Sequence, residues 1–270
     1  MIGLILGDTN IGNYIIKKLK LYKKNYIIID ISKNKIFRRD KNSYSLSLGQ
    51  LGKAISILKK NDCKKVIFAG RINRPNFSKT KFDLKALLYL PKIISSSKKG
   101  DAYIIKEIIK IFNKEKIRVL NQVYFNPELV LRRGICTKRQ IDFSSKKDII
   151  IGKKIIKDMK LHNVGQSIVV SNGIIIAVED QKGTDSMLDR ANKILKKVSG
   201  KTQKKGILLK FPKSNQDLRV DLPTVGIKTI NKCSKIGLKG VVLKANQNIL
   251  LDKFKCIKIA NKKNMFICAI

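Results

Sequence analysis

The fold of the first half of the chain is decided by residues 1–31, MIGLILGDTNIGNYIIKKLKLYKKNYIIIDI. Residues 2–6 are a short apolar run that ends in the glycine-containing turn 7–12. The next residues place apolar side chains at helical spacing, and residues 26–31 are again a continuous apolar run. Short apolar runs bounded by turns indicate buried strands, and the segment between them indicates a helix that packs on the sheet. This stretch therefore predicts a strand–helix–strand opening of Rossmann type.

The glycine turn after the first strand has two interpretations. Such a turn can point backbone N–H groups at a phosphate. The spacing here is not GxGxxG, so a plain strand-to-helix turn is the favoured interpretation. Asp30 does end the second strand, where a ribose-binding carboxylate would lie. A nucleotide-binding oxidoreductase therefore remains an alternative that rests on one matching residue.

The rest of the first half continues the alternation of strands and helices. Apolar spacing predicts helices that start near residues 48, 83 and 101, the second of them ending at Pro91. Gly70 ends a further buried strand, and Arg71 and Arg74 follow it. Because α/β sheets bind ligands at the carboxyl ends of their strands, two arginines there favour an anion site. We expect residues 1–131 to form a Rossmann-like domain with a parallel sheet.

Residues 132–147 lose the apolar periodicity and are basic, so they are predicted to be a linker. Beyond them the pattern predicts a helix, then a β-hairpin that turns at Asn172-Gly173, then further helices and strands. We expect residues 148–270 to form a mixed α/β domain. The predicted fold class is thus α/β with two domains, and one sheet that continued through the boundary would contradict it.

The second half contains a segment with the composition of a functional loop, residues 206–226, GILLKFPKSNQDLRVDLPTVG. An apolar strand leads into a polar loop that carries Asp217, Arg219 and Asp221, and a proline and a glycine end it. Two carboxylates and three basic side chains between Lys210 and Asp221 can hold a divalent metal and an anionic substrate together. A solvated loop with incidental salt bridges is the alternative.

Asp221 is the leading catalytic candidate of this loop. Pro223 restricts the backbone just beyond it. Val220 and Leu222 flank it as in a short strand, which would put Arg219 and Asp221 on one face. A cation for a phosphate and a carboxylate for a metal or a water would then converge. The alternative is that Asp221 only pairs with Arg219.

Residues upstream offer further polar groups. Glu179 closes a predicted strand and Gly183-Thr184 opens a helix, whose N–H groups can receive a phosphate. Thr184 or Asp185 is also a plausible helix cap, a role compatible with ligand binding. With one histidine and no CxxC pair, carboxylates are the plentiful metal donors, and they suit Mg²⁺ or Mn²⁺. The candidate set of this half is Gln166, Glu179, Gly183, Thr184, Asp185, Lys210, Lys213, Asp217, Arg219 and Asp221.

Charge is the most unusual property of the composition. Fifty-nine Lys and Arg residues oppose 19 Asp and Glu, which gives a formal net charge of +40. Such a charge is typical of proteins that bind nucleic acid, an anionic membrane surface or phosphorylated substrates. The basic residues are mostly lysine, are spread along the chain, and accompany only 6% aromatic residues and no Trp. Compositional bias is therefore favoured over nucleic-acid binding.

Cysteine usage and hydropathy indicate the compartment. Five scattered cysteines fit a reducing cytosol and argue against a disulfide framework. The N terminus lacks the basic region of a signal peptide, and no apolar run approaches a membrane span. His162 lies near a predicted helix end and is interpreted as structural. We expect a cytoplasmic protein, with peripheral attachment to the inner face of the inner membrane as an alternative that its charge favours.

Four stretches carry a family resemblance: LGQLGKAISILKK (48–60), VIFAGRINRP (66–75), VEDQKGTDSMLDRA (178–191) and QDLRVDLPTVG (216–226). They resemble the UDP-2,3-diacylglucosamine pyrophosphatases of the LpxI type, which belong to lipid A biosynthesis. The resemblance spans almost the whole chain. Two positions depart from it: Lys182 stands where the family usually has an acidic residue, and the turn GDTNIG at 7–12 differs from the family's usual glycine turn.

The resemblance implies a reaction and a set of roles. The enzyme would hydrolyse UDP-2,3-diacylglucosamine to 2,3-diacylglucosamine 1-phosphate (lipid X) and UMP, with Mg²⁺ or Mn²⁺. Asp221 and Asp217 would be catalytic, and Asp221, Asp185 and Glu179 would hold the metal. The substrate-binding residues would be Gln50, Gly70, Arg74, Gln166, Gly183, Thr184, Lys210, Lys213 and Arg219. Expected partners are the lipid substrate and the inner-leaflet surface, with a homodimer left open and no nucleic acid.

Overall fold

The computed structural model describes residues 1–72, 76–161, 165–198 and 205–270. Within these ranges the chain forms two compact units. The first contains Met1–Pro127 together with Asp217–Asp221, and the second contains Glu128–Gln216 and Leu222–Ile270. No helix in the described ranges is both long enough and apolar enough to cross a membrane.

The first unit is built on a parallel five-stranded sheet. Its strands are β1 (Ile2–Leu6), β2 (Tyr26–Asp30), β3 (Ser43–Ser45), β4 (Lys65–Ala69) and β5 (Arg118–Leu120). Its helices are α1 (Ile11–Leu21), α2 (Leu51–Lys60), α3 (Leu84–Lys99) and α4 (Asp101–Lys114). The sheet order is β3-β2-β1-β4-β5, and all neighbours run parallel. The predicted Rossmann-like opening is confirmed.

Burial explains why the first strands lack polar alternation. Leu4 and Ile28 are 0% exposed, and their neighbours Ile5 and Ile29 are almost as inaccessible. A parallel strand covered on both faces has no solvent side, so it reads as a continuous apolar run. The sequence pattern of residues 1–31 is thus the signature of a central sheet pair, β1 with β2.

Helix α3 is longer than predicted. Asp83 caps its N terminus with its side chain, as expected of an aspartate in that position. The pattern predicted an end at Pro91, but the helix continues through it to Lys99. A proline removes one backbone donor and crowds the carbonyl four residues earlier, here that of Leu87. Both residues lie on the exposed side of the helix, where water can satisfy that carbonyl.

The second unit is built on a mixed six-stranded sheet. The strands of this unit, which belong to that sheet or to a separate pair, are β6 (Gly134–Ile135), β7 (Ser167–Ser171), β8 (Ile174–Val178), β9 (Ile207–Lys210), β10 (Thr224–Val225), β11 (Gly240–Leu243), β12 (Ile249–Leu250) and β13 (Phe266–Ala269). The large sheet has the order β6-β13-β11-β9-β7-β8, and β10 and β12 form a separate pair. Its helices are α5 (Phe143–Leu161), α6 (Gly183–Val198), α7 (Ile227–Lys235) and α8 (Lys253–Lys262). A short 3₁₀ helix, Pro127–Leu129, lies at the boundary along the sequence.

Alternate residues of the central strands of this sheet pack into two different hydrophobic cores. Leu208 and Val241 point into a core that includes residues of α6, α7 and α8. Their neighbours Leu209 and Val242 point into a core that includes residues of α5. The second sheet is therefore covered on both faces by helices. The predicted hairpin between β7 and β8 is also present, with Asn172 and Gly173 at φ of 51° and 81°.

Residues 132–147, predicted to be a linker, belong to the second unit. β6 pairs antiparallel with β13, and the Cys136 N–H donates to the Ile267 carbonyl at 2.8 Å. Helix α5 already begins at Phe143, and the boundary lies at Pro127/Glu128. The prediction failed because a two-residue strand is too short to show any periodicity.

The second correction to the predicted domains concerns residues 217–221. They were assigned to the domain 148–270, but they cluster with the first unit. Val220 packs against the core of the parallel sheet, together with residues of α2 and α4. The chain therefore passes between the two units three times, after Pro127, after Gln216 and after Asp221.

Asp142 precedes α5 and joins separate parts of the second unit. Its Oδ1 accepts the Ser145 N–H at 2.8 Å, and its Oδ2 lies 3.0 Å from Lys239 Nζ and 3.3 Å from Arg139 Nη2. Desolvation alone would raise the pKa of Asp142. The hydrogen bonds from Ser145 and Lys239 outweigh it and hold that pKa well below its usual value.

We expect Asp142→Ala to lower the free energy of unfolding by about 1–2 kcal/mol at neutral pH, because a helix cap is lost. Asp142→Asn keeps the cap acceptor and should cost less. The depressed pKa makes this contribution complete above the unfolded-state pKa, about 4, and it diminishes as the pH falls below that value. Urea unfolding at pH 7 and pH 3 measures the effect. If the difference in the free energy of unfolding between wild type and Asp142→Ala were as large at pH 3 as at pH 7, the role of the charge would be contradicted.

Candidate active site

The turn Asp217–Asp221 carries both predicted catalytic carboxylates and places one of them, Asp217, against the Arg219 guanidinium. Arg219 donates to the two oxygens of Asp217, from Nε at 3.0 Å and from Nη2 at 2.6 Å. Its backbone N–H adds a third bond to Asp217 Oδ1 at 3.0 Å. The hydrogen bonds from the Arg219 side chain lower the pKa of Asp217, against desolvation, which alone would raise it. Asp217 is therefore ionised at neutral pH and fixes the plane of the guanidinium.

Backbone hydrogen bonds close the same turn. The N–H groups of Val220 and Asp221 both donate to the Asp217 carbonyl at 3.0 Å. The segment is a turn, and the short strand predicted for it is wrong. The strand argument that placed Arg219 and Asp221 on one face fails with it, because alternation holds only in extended backbone. Asp221 itself is half-buried.

Two residues that the sequence did not identify hold this turn in the first unit. The Gln122 N–H donates to the Arg219 carbonyl at 2.7 Å, and the Asn121 side chain donates to the Leu218 carbonyl at 3.4 Å. Both residues directly follow β5, at the carboxyl edge of the parallel sheet. Ligands of α/β proteins bind at this edge. The two contacts join residues far apart in the chain, so no local pattern indicates them.

Gly70, a predicted substrate-binding residue, lies at the same edge after β4 and has a φ of +94°. A Cβ on Gly70 would come within 3.0 Å of the backbone of Gly7, which follows β1. A Cβ on Gly7 would in turn lie 2.3 Å from the carbonyl oxygen of Arg71. Both glycines therefore permit a close backbone crossing. This crossing supports the plain structural interpretation of the turn 7–12.

The other two residues predicted in this unit are Gln50 and Arg74. Gln50 Oε1 accepts the Ser47 N–H at 2.8 Å and so closes the turn before α2. Arg74 lies outside the described residues, as does His162. The structure thus gives Gln50 a local structural contact.

Asp30 is buried and engaged by its own loop, not turned toward a ligand. Its Oδ1 accepts the N–H and the hydroxyl of Ser32 at 3.0 and 2.6 Å, and its Oδ2 accepts the Phe37 N–H at 2.9 Å. The carboxylate is 0% exposed. A carboxylate that binds a cofactor ribose must face the ligand. The oxidoreductase alternative loses the one residue on which it rested.

The second unit buries a lysine, a threonine and a glutamate in one hydrogen-bonded chain. Lys210, the last residue of β9, is 6% exposed, and its Nζ donates to Thr184 Oγ1 at 2.6 Å. That hydroxyl donates to Glu179 Oε2 at 3.0 Å, and Glu179 is 8% exposed. The hydroxyl thus bridges a buried cation and a buried anion, which keeps either charge from being left uncompensated.

Ser167 belongs to the same cluster and was not identified from the sequence. It stands opposite Lys210 in the register of β7 and β9, and its Oγ lies 3.5 Å from Thr184 Oγ1. The side chain is 0% exposed. The signal that could have found it is a polar residue at the start of a fully buried strand.

The N terminus of α6 is open. Gly183 begins the helix with a φ of +82°, and nothing lies within 4 Å of its Cβ position. The Gly183 N–H donates to the Asp180 carbonyl at 3.0 Å, and the N–H groups that follow it in the first turn of α6 suit a phosphate. Asp185 lies inside the first turn of α6, so it is not the residue that caps it. It pairs with Lys228 at 2.5 Å, and the hydrogen bond from Lys228 lowers the pKa of Asp185.

Lys213 and Gln166 are joined through Gln216, a further residue that the sequence did not identify. The Lys213 N–H donates to Gln216 Oε1 at 2.8 Å. Gln216 Nε2 donates to Gln166 Oε1 at 3.3 Å, and the Phe211 N–H donates to the Gln166 carbonyl at 2.9 Å. These bonds fix the course of the loop after β9 and hold Lys213 close to β7.

The predicted metal ligands are divided between the units. Asp221 belongs to the first, and Glu179 and Asp185 belong to the second, where they are engaged by Thr184 and Lys228. Across the described ranges, no group of three or more His, Cys, Asp or Glu residues is arranged to hold a metal ion. The carboxylates present therefore do not form a ready-made cage, and metal dependence stays a prediction.

The two α/β units, with a carboxylate–arginine turn in one and a buried lysine cluster in the other, match a known pair of domains. Residues 1–129 match the family model of the LpxI N-terminal domain, and residues 132–268 match that of the LpxI C-terminal domain. The chain belongs to the LpxI family. It is similar to the UDP-2,3-diacylglucosamine pyrophosphatase LpxI of Caulobacter vibrioides, with 31% identity over 226 residues, 83% of this chain and 81% of that protein. The family resemblance of the sequence motifs is confirmed.

Proposed function

We propose that the chain hydrolyses the pyrophosphate bond of UDP-2,3-diacylglucosamine and releases 2,3-diacylglucosamine 1-phosphate and UMP. The observation that carries the proposal is the turn 217–221, where Asp221 follows an arginine whose guanidinium plane is fixed by Asp217. A carboxylate and an oriented cation at a sheet edge are the groups that anhydride hydrolysis requires. The related Caulobacter protein, which carries the name of this activity, supports the substrate.

In the proposed mechanism, Asp221 takes a proton from the attacking water. The water oxygen bonds to the nucleotide-side phosphorus, and the P–O bond to the sugar phosphate breaks. The bonding electrons leave with the sugar 1-phosphate, and the hydroxyl group stays on UMP. Arg219 neutralises charge that develops on the phosphoryl oxygens. Asp217 was expected to be catalytic, but both its oxygens bond to Arg219, so we assign it a positioning role.

The second unit supplies groups for phosphate binding. The Gly183 N–H already donates to the Asp180 carbonyl at 3.0 Å, so the donors that we propose for a phosphate at the open N terminus of α6 are the N–H groups that follow it, beginning with Thr184. Lys213 is partly exposed on a loop tied down by Gln216. Lys210 is buried, so its role is to hold the Thr184 hydroxyl and to add positive potential near the helix N terminus.

Mg²⁺ or Mn²⁺ belongs to the proposal as a cofactor. A bound divalent ion would neutralise phosphoryl oxygens and lower the pKa of a water. Mg²⁺ is commonly held by one or two carboxylates and the substrate phosphates, and Asp221 is the donor we propose. Placement at the inner face of the inner membrane is a further part of the proposal, which the diacyl substrate and the net charge favour. A homodimer stays a prediction.

The proposal is tested by incubating the full-length protein with detergent-dispersed UDP-2,3-diacylglucosamine and following UMP by chromatography. We expect UMP release that EDTA abolishes and that Mg²⁺ or Mn²⁺ restores. Hydrolysis in H₂¹⁸O should place ¹⁸O in UMP, because water attacks the nucleotide-side phosphorus. The label in the sugar phosphate would contradict the mechanism, and no UMP with any divalent metal would contradict the function.

A further inference from the structure

One side of α3 carries leucines that the first unit leaves uncovered. Leu84, Leu87 and Leu88 are 87%, 48% and 73% exposed. They recur at spacings of three and four residues, which places them on one side of the helix. The other side meets the protein: Ala86 is buried, and Tyr89 packs against the sheet core. Single exposed leucines are ordinary, whereas three on one helical stripe form an apolar ridge.

The same side of the helix is basic beyond the ridge. Exposed lysines precede and follow the leucines: Lys79, Lys81, Lys92, Lys98 and Lys99. There is no acidic residue between Leu84 and Lys99. Lys85 is not available to the exposed face in the same way, because it is paired with Glu115. The exposed face of α3 therefore combines apolar and positively charged groups without a compensating anion of its own.

An open hollow of about 510 Å³ adjoins the start of α3. It is lined by Ser47, Leu48, Lys79, Thr80 and Lys81. The Thr80 hydroxyl already donates to the Asn76 carbonyl at 2.7 Å, which leaves the ammonium groups of Lys79 and Lys81 and the Ser47 hydroxyl as the side-chain donors for a phosphate group. A phosphate-binding hollow next to an apolar ridge matches the chemistry of the boundary between lipid head groups and acyl chains.

We propose that residues 79–99 are the surface by which the protein docks on an anionic phospholipid bilayer, with the leucines at the acyl boundary and the lysines at the lipid phosphates. The inference rests on the proposed function in one respect: docking would bring the enzyme to a diacyl substrate that resides in the bilayer. A second copy of the chain is the weaker occupant, because it would bring the same lysines and the same net charge of +40 to the contact. An anionic bilayer complements that charge.

The test uses sedimentation of the full-length protein with vesicles. Wild type should bind vesicles of phosphatidylglycerol and phosphatidylethanolamine, and release by salt should follow because lysines supply part of the attraction. The double variant Leu84→Glu/Leu88→Glu should bind at least tenfold more weakly. Leu21→Glu is the matched control, because Leu21 is 70% exposed at the end of α1 in the same unit and has Lys20, Lys23 and Lys24 nearby in the sequence. Equal losses in the two variants, or none in the double variant, would overturn the proposal.

A second measurement reports the position of the helix directly. The chain has no Trp, so Leu88→Trp and Leu21→Trp each introduce a single fluorophore. We expect a blue shift on vesicle addition for Leu88→Trp and none for Leu21→Trp. A blue shift without vesicles that grows with protein concentration would indicate a second copy on this face and overturn the bilayer assignment.

Turnover separates this proposal from the enzymatic one. The Leu84→Glu/Leu88→Glu variant should hydrolyse detergent-dispersed substrate at the wild-type rate and lose at least tenfold only on substrate embedded in vesicles. Vesicle binding by a wild-type protein that never releases UMP would leave the docking surface intact and contradict the proposed function instead.

Discussion

Asp221→Ala is expected to lower the turnover number for UMP release about a thousandfold or more while the protein stays folded. The carboxylate is the proposed proton acceptor, so its loss removes a group that acts in the transition state. The turn itself should persist, because it uses the backbone N–H of Asp221 and the side chain of Asp217. Initial rates at saturating substrate measure the effect, and thermal unfolding verifies the fold.

The matched control is Asp62→Ala. Asp62 is an aspartate of the same unit, 81% exposed and loosely paired with Lys64 at 3.8 Å, so its loss should leave turnover unchanged. Asp221→Asn keeps the shape and removes the charge, and it should be as inactive as the alanine variant. A folded Asp221→Ala protein that turned over near the wild-type rate would remove Asp221 from the mechanism.

Lys210→Met is expected to lower the free energy of unfolding by roughly 3–5 kcal/mol, because it removes the buried cation that the Thr184 hydroxyl links to the buried Glu179 carboxylate. Methionine fills most of the volume of the lysine stem, so the main loss is the charge. Lys228→Met is the comparison, since Lys228 pairs with Asp185 on the surface and is 82% exposed. That variant should lose little or no stability, because an exposed ion pair is screened by solvent. Urea unfolding of the two variants measures both values.

The double variant Lys210→Met/Glu179→Gln separates stability from chemistry. Removing both charges should recover much of the lost stability, and the double-mutant cycle gives their coupling. If Lys210 also supports phosphate binding, the double variant regains stability but not turnover. Stability of Lys210→Met equal to that of wild type would contradict the buried pair.

The elements that could be predicted are those whose burial repeats along the chain. Strands β1 and β2 are covered on both faces, so their burial appears in residues 1–31 as two continuous apolar runs. Strand β3, with the sequence SYS, shows no apolar pattern and was not predicted; it is defined only by its pairing with β2. Strand β6 has two residues and was absorbed into a predicted linker for the same reason.

The site was predictable in composition but not in arrangement. Residue types at positions 179, 184 and 210 suggested an anion site, and the structure joins them in one hydrogen-bonded chain. Lys210 is buried because of the sheet that surrounds it, and no local sequence pattern indicates that burial. The strand expected at Asp221 does not form, because Asp217 accepts the N–H groups that a strand would direct to a neighbour. Its carbonyl accepts those of Val220 and Asp221, and its carboxylate accepts that of Arg219. Asn121 and Gln122 could not be found, since their partners lie far along the sequence.

The passage of Asp217–Asp221 into the first unit bears on how the protein is made. Domains commonly fold as they emerge from the ribosome, N-terminal part first. Here the first domain has emerged through Pro127 long before its last segment is translated, and until then the Gln122 N–H lacks the Arg219 carbonyl. The first unit therefore gains its last segment only after residues 128–216 have been synthesised. A gene fragment that ends at Pro127 would encode the parallel sheet without the turn 217–221, so a single cut does not yield two complete units.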